Sequence, residues 1–123
     1  MRKWRLLALG VTAFSGPALI ALPACAAAMH VMESRPAAEA VMAQGNTEFF
    51  VRFDGPVDHA RSRLTVLRDG QVVQTLHPRL NSQPSVLYAG VPRLAPGGYV
   101  LHWMTASMRE HDMSEGDIAF QVR

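Results

Sequence analysis

From residue 29 onward, apolar positions recur with a period of two, which is the signature of strands with one buried face. Phe49, Val51 and Phe53 alternate with Phe50 and Arg52 until Asp54-Gly55-Pro56 stops the run. Arg63 to Leu67 and Gln71 to Leu76 flank Asp69-Gly70, a dipeptide that tolerates positive φ and so predicts a tight hairpin. Ser85 to Tyr88 is a further short strand between Pro84 and Gly90. Pro96-Gly97-Gly98 announces the next, in which Tyr99, Leu101 and Trp103 share a face. Ile118, Phe120 and Val122 share a face of the last strand, and Val31 with its neighbours before Pro36 supplies the first. Ala37 to Gln44, between Pro36 and Gly45, is too short for a stable helix and reads as a connecting loop, with at most one helical turn. About seven short strands with turn signals at short intervals predict an all-β domain: a seven-stranded Greek-key, immunoglobulin-like β-sandwich. Alternation places Trp103 in its core, with Phe49 or Phe50, Phe53 and Phe120 nearby.

The first 28 residues follow a different rule. Arg2, Lys3 and Arg5 precede an apolar run from Leu6 to Leu22, and the small residues Ala24 to Ala28 follow, the layout of a cleaved export signal. The reading is therefore a signal peptide over 1–28, one domain over 29–123 and a periplasmic location. A second reading of the same stretch is a lipoprotein signal, since Leu22-Pro23-Ala24-Cys25 ends on the chain's only cysteine.

Charge changes with that division. The chain carries a formal net charge of +2, but residues 29–123 hold nine arginines against ten acids, a net of −1. Without a clustered basic face, nucleic acid is not an expected partner. With Cys25 in the leader, the domain has neither a disulfide framework nor a thiolate ligand.

The chemistry-bearing residues are histidines. His30, His59, His77, His102 and His111 are scattered, with no H-E-x-x-H pair, no G-x-S-x-G turn and no phosphate-binding glycine loop. The chain does not read as an enzyme. His111 stands out because Glu110 and Asp112 flank it in a polar loop. His30 stands out because a cut after Ala27 would leave Ala28-Met29-His30, whose amine, backbone amides and imidazole suit the square-planar nitrogen coordination of Cu(II). Met29, Met32, Met42, Met104, Met108 and Met113 are not clustered as a Cu(I) site would require and read as packing, with Met104, Met108 and Met113, close to His111 in sequence, leaving a Cu(I) alternative open.

Taken in order, His30, Ser34-Arg35-Pro36-Ala37, Val51 to Val57, Leu94 to Tyr99, and Trp103 followed eight residues later by His111 and then by Gly116 resemble the CopC family of periplasmic copper-resistance proteins across essentially all of residues 29–123. The resemblance implies a Greek-key sandwich that binds one Cu(II) per chain at one end, through an N-terminal histidine, a loop aspartate and a loop histidine. His111 takes the place of the loop histidine. Arg109 stands where the family has its aspartate, so Glu110 or Asp112 is expected to supply the carboxylate. The implied site is His30, His111, Glu110 and Asp112, and the implied role is a Cu(II) carrier or buffer in copper resistance, passing copper to a membrane transporter of the CopD type. The alternative, suggested by the fixed cation at Arg109, is an interaction module that kept the sandwich and lost the metal.

Overall fold

The computed structural model describes residues 29–45 and 48–123; the expected signal peptide and the possible lipid attachment at Cys25 lie outside the described residues. Among the described residues eight strands form: β1 (Val31–Arg35), β2 (Ala40–Met42), β3 (Glu48–Phe53), β4 (Arg63–Arg68), β5 (Gln71–Leu76), β6 (Val86–Gly90), β7 (Gly97–Ala106) and β8 (Met113–Val122), with one 3-10 turn at His59–Arg61. They make a three-stranded sheet in the order β1-β3-β6 and a five-stranded sheet in the order β2-β8-β7-β4-β5. Hairpins join β4 to β5 and β7 to β8; each other connection crosses from one sheet to the other.

The core is the meeting of the two inward faces. Phe49, Val51, Phe53, Leu87 and Ala89 from one sheet pack with Leu64, Val66, Leu101, Trp103, Ile118 and Phe120 from the other, all at most 6% exposed. The aromatic side chains interlock across the gap: Phe53 meets Trp103 edge-on at 4.9 Å between centroids, and Phe49 meets Phe120 at 5.4 Å, arrangements favoured by the ring quadrupole. Phe50 points the other way and stacks on Tyr88, as its place in the alternation requires. Asp69 and Gly70 both have positive φ, 52° and 77°, the conformation of a type I′ hairpin turn.

Two features position the end of the sandwich discussed below. Trp103 pairs with Gly116 in the β7–β8 register, and a Cβ at Gly116 would lie 2.6 Å from the indole Cζ2. The ring thus covers the glycine backbone, and any side chain there collides with it. Met29 is 8% exposed and belongs to the core cluster, so the chain entering β1 is pinned at its first described residue.

The eighth strand, β2, falls in the stretch read from sequence as a loop. It pairs in parallel with the end of β8, Ala40 to Phe120 and Met42 to Val122, and the pairing is extended by Glu39 N–H to the Ala119 carbonyl at 2.7 Å and by Arg123 N–H to the Met42 carbonyl at 3.0 Å. Three residues held mainly by backbone bonds leave almost no side-chain period to read.

Candidate metal centre

The register of β1 against β3 sets Val31 opposite Phe53, so the next pair outward is His30 and Asp54. They are joined three ways. Asp54 N–H donates to the His30 carbonyl at 3.0 Å, His30 N–H donates to Asp54 Oδ1 at 3.1 Å, and His30 Nδ1 lies 3.0 Å from Asp54 Oδ2. The backbone N–H of His30, followed by its imidazole, holds the Asp54 carboxyl below its ordinary value of 3.8, because each hydrogen bond favours the ionised form. The His30 side chain is 73% exposed, and with Nδ1–H engaged by the carboxylate, Nε2 is left as the electron-pair donor. Carboxylates orient metal-binding imidazoles in this way.

Asp54 is the residue that sequence reasoning missed. Its place before Gly55-Pro56 reads as turn chemistry, and only the β1–β3 register reveals that it faces His30. The pair also bears on the expected wrapping of Cu(II) by the N-terminus. That wrapping uses the amide nitrogen and the nearer ring nitrogen of His30, and in the structure both are turned to Asp54.

The second half of the centre is the tip of the β7–β8 hairpin. Ala106 pairs with Met113. Inside that pair, Ser107 N–H donates to the Asp112 carbonyl at 3.0 Å, while His111 N–H donates to the Ser107 carbonyl at 2.8 Å. The buried Ser107 hydroxyl accepts from Arg109 N–H at 3.2 Å and Glu110 N–H at 3.3 Å. His111 closes the loop with φ at 62°, a left-handed conformation that histidine adopts more readily than most residues. The tip is stitched to the end of β3 by a bridge between Val57 and Ser107, by Asp58 N–H to the Ala106 carbonyl at 2.8 Å and by Met108 N–H to the Pro56 carbonyl at 3.1 Å. Beneath these contacts, the buried Ser62 and Thr105 hydroxyls lie 2.7 Å apart.

The expected ligands therefore share one end of the sandwich but are not all brought together. A cleft of about 110 Å³ is lined by Met29, Asp54, Gly55 and Pro56 on one side and by Ser107, Arg109 and Glu110 on the other. His111 and Asp112 are exposed on the outer part of the tip and do not line it. Among the described residues, no group of three or more His, Cys, Asp or Glu side chains converges to hold a metal ion.

The match to known proteins rests on the domain as a whole. The profile of the CopC domain matches residues 31–123. The chain belongs to the CopC family. Its fold is similar to the crystal structure of CopC from Methylosinus trichosporium OB3b, at 27% identity and a TM-score of 0.68, over 76% of this chain and 92% of that one. It is also similar in fold to PcoC from Escherichia coli, described as a methionine-rich copper resistance protein, at 17% identity and a TM-score of 0.61, over 79% of this chain and 100% of that one. No curated protein matched in sequence. In this CopC-family chain the stretch from Gln71 to Tyr88 contains no methionine, and the exposed methionines Met108 and Met113 lie at the hairpin tip, Met32 on β1.

Proposed function

We propose that this protein is a periplasmic Cu(II) carrier or buffer that holds one copper ion per chain at the β3–β7–β8 end of the sandwich. His30 and His111 supply imidazoles, Glu110 or Asp112 supplies a carboxylate, and Asp54 orients His30. The observation that carries this reading is the His30–Asp54 pair, at 3.0 Å, opposite a hairpin tip bearing His111, in a chain of the CopC family. The donor set of imidazole nitrogen and carboxylate oxygen suits Cu(II). An ionised Asp54 also keeps the His30 ring fixed and raises the basicity of its free nitrogen. Copper would be the cargo of this site, delivered to a membrane transporter of the CopD type, and no catalytic role is assigned to the chain.

Titration of the exported protein with Cu(II), followed by electron paramagnetic resonance, tests the reading. One equivalent with nitrogen-rich coordination is expected, weakened in His30→Ala and in His111→Ala. Parental affinity in the double variant would overturn it. Glu110→Gln and Asp112→Asn, made separately, identify the carboxylate. Intact mass of the exported protein fixes its first residue, and a lipid-modified peptide beginning at Cys25 would show that no free amine is available beside His30.

A second reading has its own support. Arg109 lines the same cleft as Asp54 and Glu110, and a fixed cation opposes Cu(II) there unless a carboxylate neutralises it. In that case the domain is an interaction module without a metal, and Arg109→Asp should create the affinity that the parent lacks.

A further inference from the structure

On the solvent face of the five-stranded sheet, far along β7 from the hairpin tip, His102 stands between two carboxylates of β8. Its Nδ1 lies 2.6 Å from Asp117 Oδ1, its register partner, and its Nε2 lies 3.5 Å from Glu115 Oε2. We propose that His102 Nε2 and Glu115 form a second, surface site for a borderline divalent cation, Cu(II) or Zn(II), with Asp117 as the residue that orients the imidazole.

The argument is geometric. With Nδ1–H donated to Asp117, the ring is fixed in the tautomer whose Nε2 carries the lone pair, as in a carboxylate–histidine–metal arrangement. Two donors on one tetrahedral ion, with bonds of about 2.0–2.1 Å, stand about 3.3–3.4 Å apart. The observed 3.5 Å between Nε2 and Glu115 Oε2 matches that separation, and it is longer than a good hydrogen bond. The strands hold it there: Asp117 is paired with His102 and Glu115 with Met104 across the β7–β8 ladder, so both carboxylates project on the face of His102. The electrostatics agree, since a neutral imidazole between two carboxylates is a local charge of −2. The arginine on that face of the adjoining β4, Arg63, pairs with Met104 rather than with His102. His59 makes the contrast, because its Nε2 is occupied by the carbonyls of Gln83 at 3.1 Å and Val86 at 2.8 Å. The site offers two protein donors, and water completes the shell. Nitrogen and oxygen donors select the Cu(II) and Zn(II) end of the divalent series, and the observed separation suits tetrahedral Zn(II) better than square-planar Cu(II).

The test uses the full exported chain carrying His30→Ala and His111→Ala, which removes the proposed rim site, so the two sites fail separately. Cu(II) alone and Zn(II) alone are titrated, with nitrogen hyperfine structure for the first and the His102 ring resonances by NMR for the second. One further equivalent with a single imidazole is expected for each metal. His102→Ala should abolish it, and Glu115→Gln should weaken it tenfold or more. Asp117→Asn should weaken it by about 10- to 100-fold, the range for a lost orienting partner, without changing the number of coordinated nitrogens. A melting temperature kept within a few degrees shows that each variant is folded. If the rim-deficient protein binds neither metal, or if His102→Ala or Glu115→Gln leaves its affinity unchanged, the two carboxylates only pair with an imidazolium and the proposal is overturned.

Discussion

The β7–β8 hairpin is one element with two characters. From Tyr99 to Trp103 on β7 and from Ile118 to Val122 on β8, inward side chains are locked by the opposite sheet, and alternate positions are at most 6% exposed. From Ser107 to Asp112 only Ser107 is buried, and a handful of hydrogen bonds, to Ser107 and from Met108 to the Pro56 carbonyl, define the tip. The first region is over-determined by packing. The second is held just well enough to present Glu110, His111 and Asp112 to solvent, the usual division between a scaffold and the loop it carries.

Substitutions at the two ends should separate this contrast cleanly. Trp103→Ala removes the ring that bridges Phe53 and Gly116 and should cost about 3–5 kcal/mol in denaturant unfolding; a variant melting within a few degrees of the parent would show that the packed half is not the source of stability. Gly116→Ala forces a methyl against the indole and should cost about 1–3 kcal/mol, more than alanine costs at the exposed β8 positions. At the tip the sign reverses. His111→Gly relieves a left-handed residue worth about 1–2 kcal/mol, offset by the about 0.4–1 kcal/mol that glycine adds to unfolded-chain entropy. The net is a gain of about 0.8 kcal/mol, together with weaker Cu(II) binding if the proposed function holds. A loss of stability in this variant would mean that the imidazole itself braces the loop.

The smallest effect is at Asp54. Its carboxyl is held below 3.8 by His30, so the stability it contributes is present above the unfolded-state value and is lost as pH falls through the lower folded-state value. Asp54→Asn should therefore lower stability slightly at neutral pH and flatten the acid limb below about pH 4, where variant and parent converge. An unaltered acid limb would show that the His30–Asp54 pair does not persist in solution.

What was legible in the sequence follows the same line. Strand alternation at Phe49–Phe53, Tyr99–Trp103 and Ile118–Val122 is imposed by burial on one face, and burial leaves a period of two in the chain. The Asp69-Gly70 turn is equally local, since its φ angles restrict which residues fit. β2 was invisible because its pairing with β8 runs through backbone atoms that every residue possesses. Asp54 was invisible as a partner of His30 because their proximity depends on the register of two strands some twenty residues apart, and register is set by the whole sandwich rather than by either segment. The loop residues expected as ligands lay between these limits. Their residue types showed in the sequence, while the division that puts Arg109 and Glu110 in the cleft and His111 outside it depends on how four residues turn around Ser107.

The indole laid across Gly116 has a spectroscopic consequence. Trp103 is the only tryptophan from residue 29 to the C-terminus, it is 6% exposed, and at about 3.3 Å per residue it stands roughly 13 Å along β7 from Ser107. Its emission should therefore be blue-shifted in the folded protein and move to longer wavelength on unfolding. A paramagnetic Cu(II) ion at the hairpin tip would quench it at that range with no shift in wavelength. In a chain beginning at residue 29, intensity and colour of this one tryptophan would then report metal loading and folding as two independent signals.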